Sequence, residues 1–206
     1  MKGIIGYSAF CIMILVAGCA FFSGCTDNTA QNREMLQAIE DLKKEVQTMK
    51  DVEAIKQLHI RYVNDLTYGE WDDIVECFAE DAVLAVMMGQ EPTTGKEKIR
   101  DIFMNQVAKS DKHTGSEANM TLHPLVTVDG DTAKSNWVIY FITQPDKEKE
   151  AVQVLQGIYD CEYKREIGEW KISYIKWTPR FALGPQISDQ AGGPPGETPA
   201  GQSAPK

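Results

Sequence analysis

At Glu117 the spacing of apolar residues changes from one that suits helices to one that suits strands, and this change limits what the chain can become. Before it, apolar residues recur three and four apart. After it come four runs, "ANMTLHPLVTV", "TAKSNWVIYFITQ", "AVQVLQGIYDCEYKR" and "EWKISYIKWTPRF", rich in the β-branched and aromatic residues that suit a pleated surface. "DGDT" at 129–132 and "EIGE" at 166–169 read as tight turns, and "QPDKEKE" joins the middle pair. Hairpin connections make the sheet antiparallel.

Ahead of Glu117, residues 31–50 are strong helix formers, with Leu36, Ile39, Leu42, Val46 and Met49 on one stripe. The stripe runs on through Val52, Ile55, Leu58, Tyr62, Val63 and Leu66. Two readings stand side by side: a helix laid along its own domain, or a coiled-coil stem that pairs chains. Gly69 is placed to close this helix. "EWDDIVECF" then forms a short helix with Trp71, Ile74, Val75 and Phe78 on one face, and Asp72 and Asp73 complement its dipole. "AVLAVMM" reads as a strand. "TGKEKIRDIFMNQVAK" reads as a third helix, capped by Thr94 with Glu97 completing a capping box, and burying Ile99, Ile102, Phe103 and Val107. The expected class is α+β: a cone-shaped curved antiparallel sheet with three helices on its concave side, preceded by a long N-terminal helix.

The ends differ from this middle. Residues 1–24 carry one charge, Lys2, ahead of a long apolar run, the pattern of a secretory signal. "VAGC" ends at Cys19 and "FSGC" at Cys25, and both resemble the lipobox of prokaryotic lipoproteins. Cys19 is the favoured lipidation site and Cys25 the alternative. The chain is then expected on the extracytoplasmic face of a prokaryotic membrane, with a lipid anchor in the bilayer. A retained transmembrane anchor is the other reading, because about 20 apolar residues suffice to span. Residues 25–50 form the tether and amphipathic helix, 51–183 the folded domain, and 184–206 a Gly- and Pro-rich tail too poor in apolar residues to order itself.

The net charge of −9 argues against a nucleic-acid partner, which needs a basic footprint. Outside the signal region the cysteines are Cys77 and Cys161, read as two buried thiols, with a disulfide between them as the alternative that their separation leaves open. His59, His113 and His123 share no ligand spacing, so neither a metal nor a cofactor is expected.

The pieces "AIKQLHIRYVNDLTYGEWDDIVECFAEDAVL", "GKEKIRDIF", "HPLVTVDGDTAKSNW" and "GIYDCEYKREIGEWKISYIKW", in this order, resemble the SnoaL-like branch of the nuclear transport factor two superfamily. That branch includes polyketide cyclases and scytalone dehydratase. The resemblance covers about residues 51–181. It implies a cone that commonly pairs through its sheet. For the dehydratases it implies an Asp near the end of the first helix and histidines on the sheet. Asp65 stands close to the Asp position. The sheet histidines would fall near Glu117 and Ile142, where this chain has none. His123 is in the right strand but off that register, so the dyad is not reproduced, and binding or assembly is favoured over dehydration.

Asp65 and His123 are the candidate catalytic pair. Glu117, Asn119 and His123 alternate on one strand and would share a lining if that face is concave. Tyr62, Asn119, Tyr140, Tyr159 and Cys161 are the candidate pocket residues. The expected function is a membrane-anchored module that binds a small apolar ligand or forms a homodimer or higher homo-oligomer. The alternative is a cofactor-independent dehydratase, isomerase or cyclase using Asp65 and His123.

Overall fold

A computed structural model gives the fold; it describes residues 23–85, 91–109, 117–146 and 151–184, with side chains from residue 28 onward except those of 145, 146 and 151. Cys19, the tail beyond 184 and the side chain of Cys25 lie outside this description. Two compact units are present, Met1–Lys50 and Asp51–Lys206. Helix α1 (Ser23–Tyr68) makes up the described part of the first and opens the second. It stops where expected, because Gly69 adopts φ 74°, a left-handed conformation that glycine takes without Cβ strain. No helix among the described residues is long and apolar enough to cross a membrane.

In the second unit α1 is followed by α2 (Trp71–Glu76), β1 (Phe78–Ala85), β2 (Thr93–Thr94) and α3 (Lys96–Asp101), which widens into a π-helical segment over Ile102–Val107. Then come β3 (Ala118–Asp129), β4 (Thr132–Asp146), β5 (Ala151–Glu166) and β6 (Glu169–Leu183). The six strands form one sheet in the order β2-β1-β6-β5-β4-β3.

Three expectations are corrected. Thr94 does not cap the third helix: Thr93 and Thr94 pair with Leu84 and Val83, and Gly95 is the N-cap, at φ 99° and without a side-chain cap bond. Two adjacent β-branched residues suit a ladder, and Gly95 supplies the turn into the helix. Phe78 is not on α2 but begins β1, where it is fully buried. Lastly, the sheet is not wholly antiparallel. β1 runs parallel to β6, with Leu84 opposite Ile175, although every hairpin-linked pair is antiparallel. A hairpin must reverse direction, whereas β1 and β6 are the distant ends of the strand sequence and carry no such constraint.

Both predicted turns are present, with Asp129 opposite Thr132 and Glu166 opposite Glu169. Register then sorts the side chains. One face of the sheet carries the rows Val128–Ala133–Tyr163–Ile172, Val126–Ser135–Cys161–Ile175, Trp137–Tyr159–Trp177 and Asn119–Phe141–Leu155. This inner face packs under Ile55, Leu58, Tyr62 and Val63 of α1, Ile74 and Val75 of α2, and Ile99, Ile102 and Phe103 of the third helix. Each such side chain contributes roughly 1.5–3 kcal/mol by leaving water. Cys77 and Cys161 are free and buried.

Candidate functional site

Ile55, Leu58, His59 and Tyr62 share one buried face of α1, and His59 organises the middle of the core. His59 is fully buried. Its ring stacks on Trp137 of β4, with centroids 4.1 Å apart and planes 8° from parallel. Its Nδ1 lies 3.2 Å from the Tyr163 hydroxyl and 3.9 Å from the Cys161 sulfur. Ser135 Oγ sits 2.8 Å from the same hydroxyl, and the Trp137 indole N–H donates to Ser135 Oγ at 2.6 Å. The indole can only donate, but each hydroxyl can run either way. Whichever direction the chain of bonds takes, His59 Nε2 is left buried without a partner among the described residues. Burial pulls the imidazole pKa down to about 3, so His59 is neutral at physiological pH.

Around this cluster the thiol of Cys161 and the hydroxyls of Tyr62, Tyr159 and Tyr163 are all pushed upward, chiefly by burial. None ionises near neutrality. Tyr62, Tyr159 and Cys161, three of the predicted pocket residues, are thus brought together as core at the foot of the inner face. Sequence reasoning missed His59. Its signal was position, since it stands four residues after Ile55 and four before Val63, inside the apolar stripe.

Towards the other end of the inner face the packing is less complete. Gly157 lies under the Trp177 indole, where an added Cβ would meet Trp177 Nε1 at 2.3 Å and the Thr178 carbonyl oxygen at 2.6 Å. Phe141 stands edge-on to Trp177 at 5.4 Å and to Tyr159 at 6.2 Å. Asn119 is directly opposite Phe141 in the ladder. Asn119 Oδ1 and Trp177 Nε1 are both buried and without partners among the described residues. One is an acceptor and the other a donor, and Phe141 is both the ladder partner of Asn119 and the ring neighbour of Trp177.

The remaining predicted residues fall elsewhere. Tyr140 pairs with Met120 and Gln156 on the outer face, opposite to the face that carries Asn119, Tyr159 and Cys161. His123 is exposed, at φ 52°. Between Leu122, opposite Val138, and Leu125, opposite Asn136, both His123 and Pro124 stand where Trp137 has room for one partner. Pro124 has no N–H to give the ladder, and the extra residue bulges outward. The shared lining expected for Glu117, Asn119 and His123 therefore does not form, because the bulge removes His123 from it.

Asp65 is half-buried near the end of α1, with Oδ2 buried and lacking a hydrogen-bond partner among the described residues. Burial raises its pKa, Asp73 raises it further, and Arg61 opposes them. His123 is not among the charges that act on it. Of the acidic residues that follow it, Asp72 and Glu76 hold Arg100 at 2.7 and 3.4 Å, and Asp81 pairs with Lys164. Grooves of about 320 and 550 Å³ lie around Lys134 and Glu162, and neither is lined by Asp65, Asn119, His123 or Trp177. Among the described residues no group of three or more His, Cys, Asp or Glu side chains is placed to hold a metal.

Known proteins share this fold. A hexachlorocyclohexane dehydrochlorinase of the LinA type 3 from Novosphingobium barchaimii superposes with a TM-score of 0.59 at 17% identity, over 68% of this chain and 93% of its own. A candidate scytalone dehydratase from Novosphingobium aromaticivorans gives 0.58 at 15% identity, over 68% and 90%. A nuclear transport factor two-like protein with a cystatin-like fold from the same organism gives 0.55 at 20% identity, over 66% and 86%. The model of the SnoaL-like domain matches residues 47–176, and with most of its length inside that match the chain belongs to the SnoaL-like domain family.

Proposed function

We propose that this chain is a binding module that takes a small, flat, largely apolar ligand on the inner face, between Asn119 and Trp177. The observation that carries the reading is the pair of buried, unpartnered atoms, Asn119 Oδ1 and Trp177 Nε1, on two residues that neighbour Phe141. A buried polar atom without a partner costs about 1–3 kcal/mol, and a ligand hydroxyl that accepts from the indole and donates to the amide oxygen removes that cost. The absence of a catalytic dyad is part of the proposal. It is supported by His59 held neutral in the core, His123 exposed on the outer strand, and Asp65 answering to other charges.

The probe is 2-naphthol, followed by indole fluorescence. Saturable quenching is expected, weakened about ten-fold each by Asn119→Leu and Trp177→Phe, the equivalent of one lost hydrogen bond. Absence of saturation, or binding indifferent to both changes, sinks the reading. One observation favours a second reading, a cofactor-independent lyase or isomerase: the raised, half-buried carboxyl of Asp65. It requires turnover that Asp65→Asn abolishes and His123→Ala reduces.

Two further parts complete the proposal. A lipid on Cys19, or alternatively Cys25, holds the module at the extracytoplasmic face of a prokaryotic membrane; the mass of the mature N-terminal peptide tests it. Two copies pair through the outer face of the sheet. There Met120, Leu122, Leu125, Phe181 and Leu183 are exposed apolar side chains, a concentration that suits an interface. Leu125→Glu is expected to weaken that dimer.

A further inference from the structure

In the first unit, Met35, Ile39, Leu42, Val46 and Met49 are all exposed, at 55%, 42%, 59%, 47% and 61%. Nothing described in the chain covers them. Their spacing alternates four and three without a break, so Ile39 and Val46 occupy the a positions of a heptad and Met35, Leu42 and Met49 the d positions. Every b, c and f position from Arg33 to Thr48 is polar. Two side-chain hydrogen bonds of this segment, Gln37 to Asp41 at 3.0 Å and Thr48 to the Lys44 carbonyl at 3.0 Å, lie on that opposite face.

We infer that residues 32–49 form a parallel, in-register, two-stranded coiled coil with a second copy of this chain. Three features choose the partner and the geometry. β-Branched residues at a, with Leu and Met at d, favour two strands over three or four. Asn32 falls at the preceding a position, where a buried amide pairs with its own copy and fixes register. The flanking charges fix direction. Glu45 is at g and Lys50 at the following e, the two positions that meet across a parallel pair, so each Glu45 meets the partner's Lys50 and the pair forms twice. An antiparallel arrangement would instead set e against e, opposing Lys43 and Lys50 with one another. The inference is independent of the ligand site and of the outer sheet face.

The test uses the full chain in mild detergent, mixing unlabelled and nitrogen-15-labelled protein. Photo-crosslinking p-benzoylphenylalanine replaces Lys43 at an e position, or Lys44 at an f position as the control. The Lys43 site is expected to give mixed-isotope adducts on residues 38–43 of the other copy, and the Lys44 site none. Adducts mapped elsewhere, or no mixed-isotope adduct, overturn the inference. Reversing one charge, Glu45→Lys or Lys50→Glu, turns two attractions into repulsions and is expected to raise the concentration for half-maximal crosslinking about ten-fold. The double reversal Glu45→Lys with Lys50→Glu restores it. A double variant no better than either single one refutes the parallel register, even if some association persists through the sheet.

Discussion

Acid should loosen this protein well above the pH at which its carboxylates protonate, and His59 is the reason. In the unfolded chain the imidazole titrates at the ordinary 6.5, whereas burial pulls it to about 3 in the folded one. Below pH 6.5 the unfolded chain therefore takes up a proton that the folded chain refuses. The contribution of neutral His59 is fully present above 6.5 and is lost progressively as pH falls towards 3. At pH 5 the loss amounts to about 2 kcal/mol, which lowers the melting temperature of a domain this size by roughly 4–8 °C. Other groups with depressed folded values, Glu76, Asp81 and Glu169, start from the carboxylate range and act mainly below this window.

The control is His59→Phe. A phenyl ring can keep the stack on Trp137, and it removes a polar atom, Nε2, that has no partner. It gives up the contact with Tyr163, whose hydroxyl retains Ser135. Stability at pH 7 should then change by less than about 1.5 kcal/mol. Urea unfolding at pH 7, 6 and 5 is the assay. Wild type should lose midpoint steadily and His59→Phe should hold nearly level. A wild-type curve flat from pH 7 to 5, or a variant that falls in parallel with it, would refute the reasoning.

Other changes test the frame around the site. Asp51 Oδ1 accepts from Arg165 at 2.7 Å and from the Trp170 indole at 3.0 Å, and Arg165 stacks 4.5 Å above the same indole. Asp51→Ala strands a buried N–H and is expected to cost about 2–3 kcal/mol, read by urea denaturation. Gly157→Ala drives a methyl group into Trp177 and a backbone carbonyl, so a loss of about 1–3 kcal/mol is expected together with a changed indole emission. Ile167 is wholly exposed and sits at φ 51° in the β5–β6 turn. Ile167→Gly should therefore stabilise by about 1 kcal/mol, visible as a raised melting temperature.

The sequence was a good guide wherever a local rule governed the structure. The four strand runs after Glu117 and the two-residue turns at Gly130–Asp131 and Ile167–Gly168 appear as expected, because alternation and turn chemistry act over a few residues. Gly69 ends its helix for an equally local reason. What escaped depended on contacts far apart in the chain. Nothing near Leu84 says that it will lie beside Ile175 in the same direction. His59 looked like an unpaired histidine because its partners Trp137 and Tyr163 are 78 and 104 residues away. Alternation counted on past Leu122, where the ladder register shifts, groups His123 with Glu117 and Asn119. Tyr140 was an aromatic residue assigned to the lining, when register puts it one step out of phase with Trp137 and Phe141.

These departures bear on where a ligand can sit. The inner face can be followed row by row from the turns towards the far end of the strands. Ala133 with Tyr163, Ser135 with Cys161 and Trp137 with Tyr159 are each occupied by helical side chains or by the His59 network, and all six residues are buried. Half-buried residues of the inner face include Trp177 at the edge of the last of these rows and Phe141 and Leu155 beyond it, and among the described residues the Asn119 amide oxygen and the Trp177 indole N–H are buried there without partners. A histidine at the centre of a related cone would ordinarily attract a catalytic reading. Here the same ring is stacked, neutral and tied to Tyr163, so protonating it opposes folding. Chemistry that needed His59 as a proton carrier near neutral pH would have to work against roughly 4–5 kcal/mol of burial penalty, the free-energy equivalent of its displacement from 6.5 to about 3. Under the proposed binding reading, recognition falls to Asn119, Phe141 and Trp177, and His59 contributes packing through its stack on Trp137.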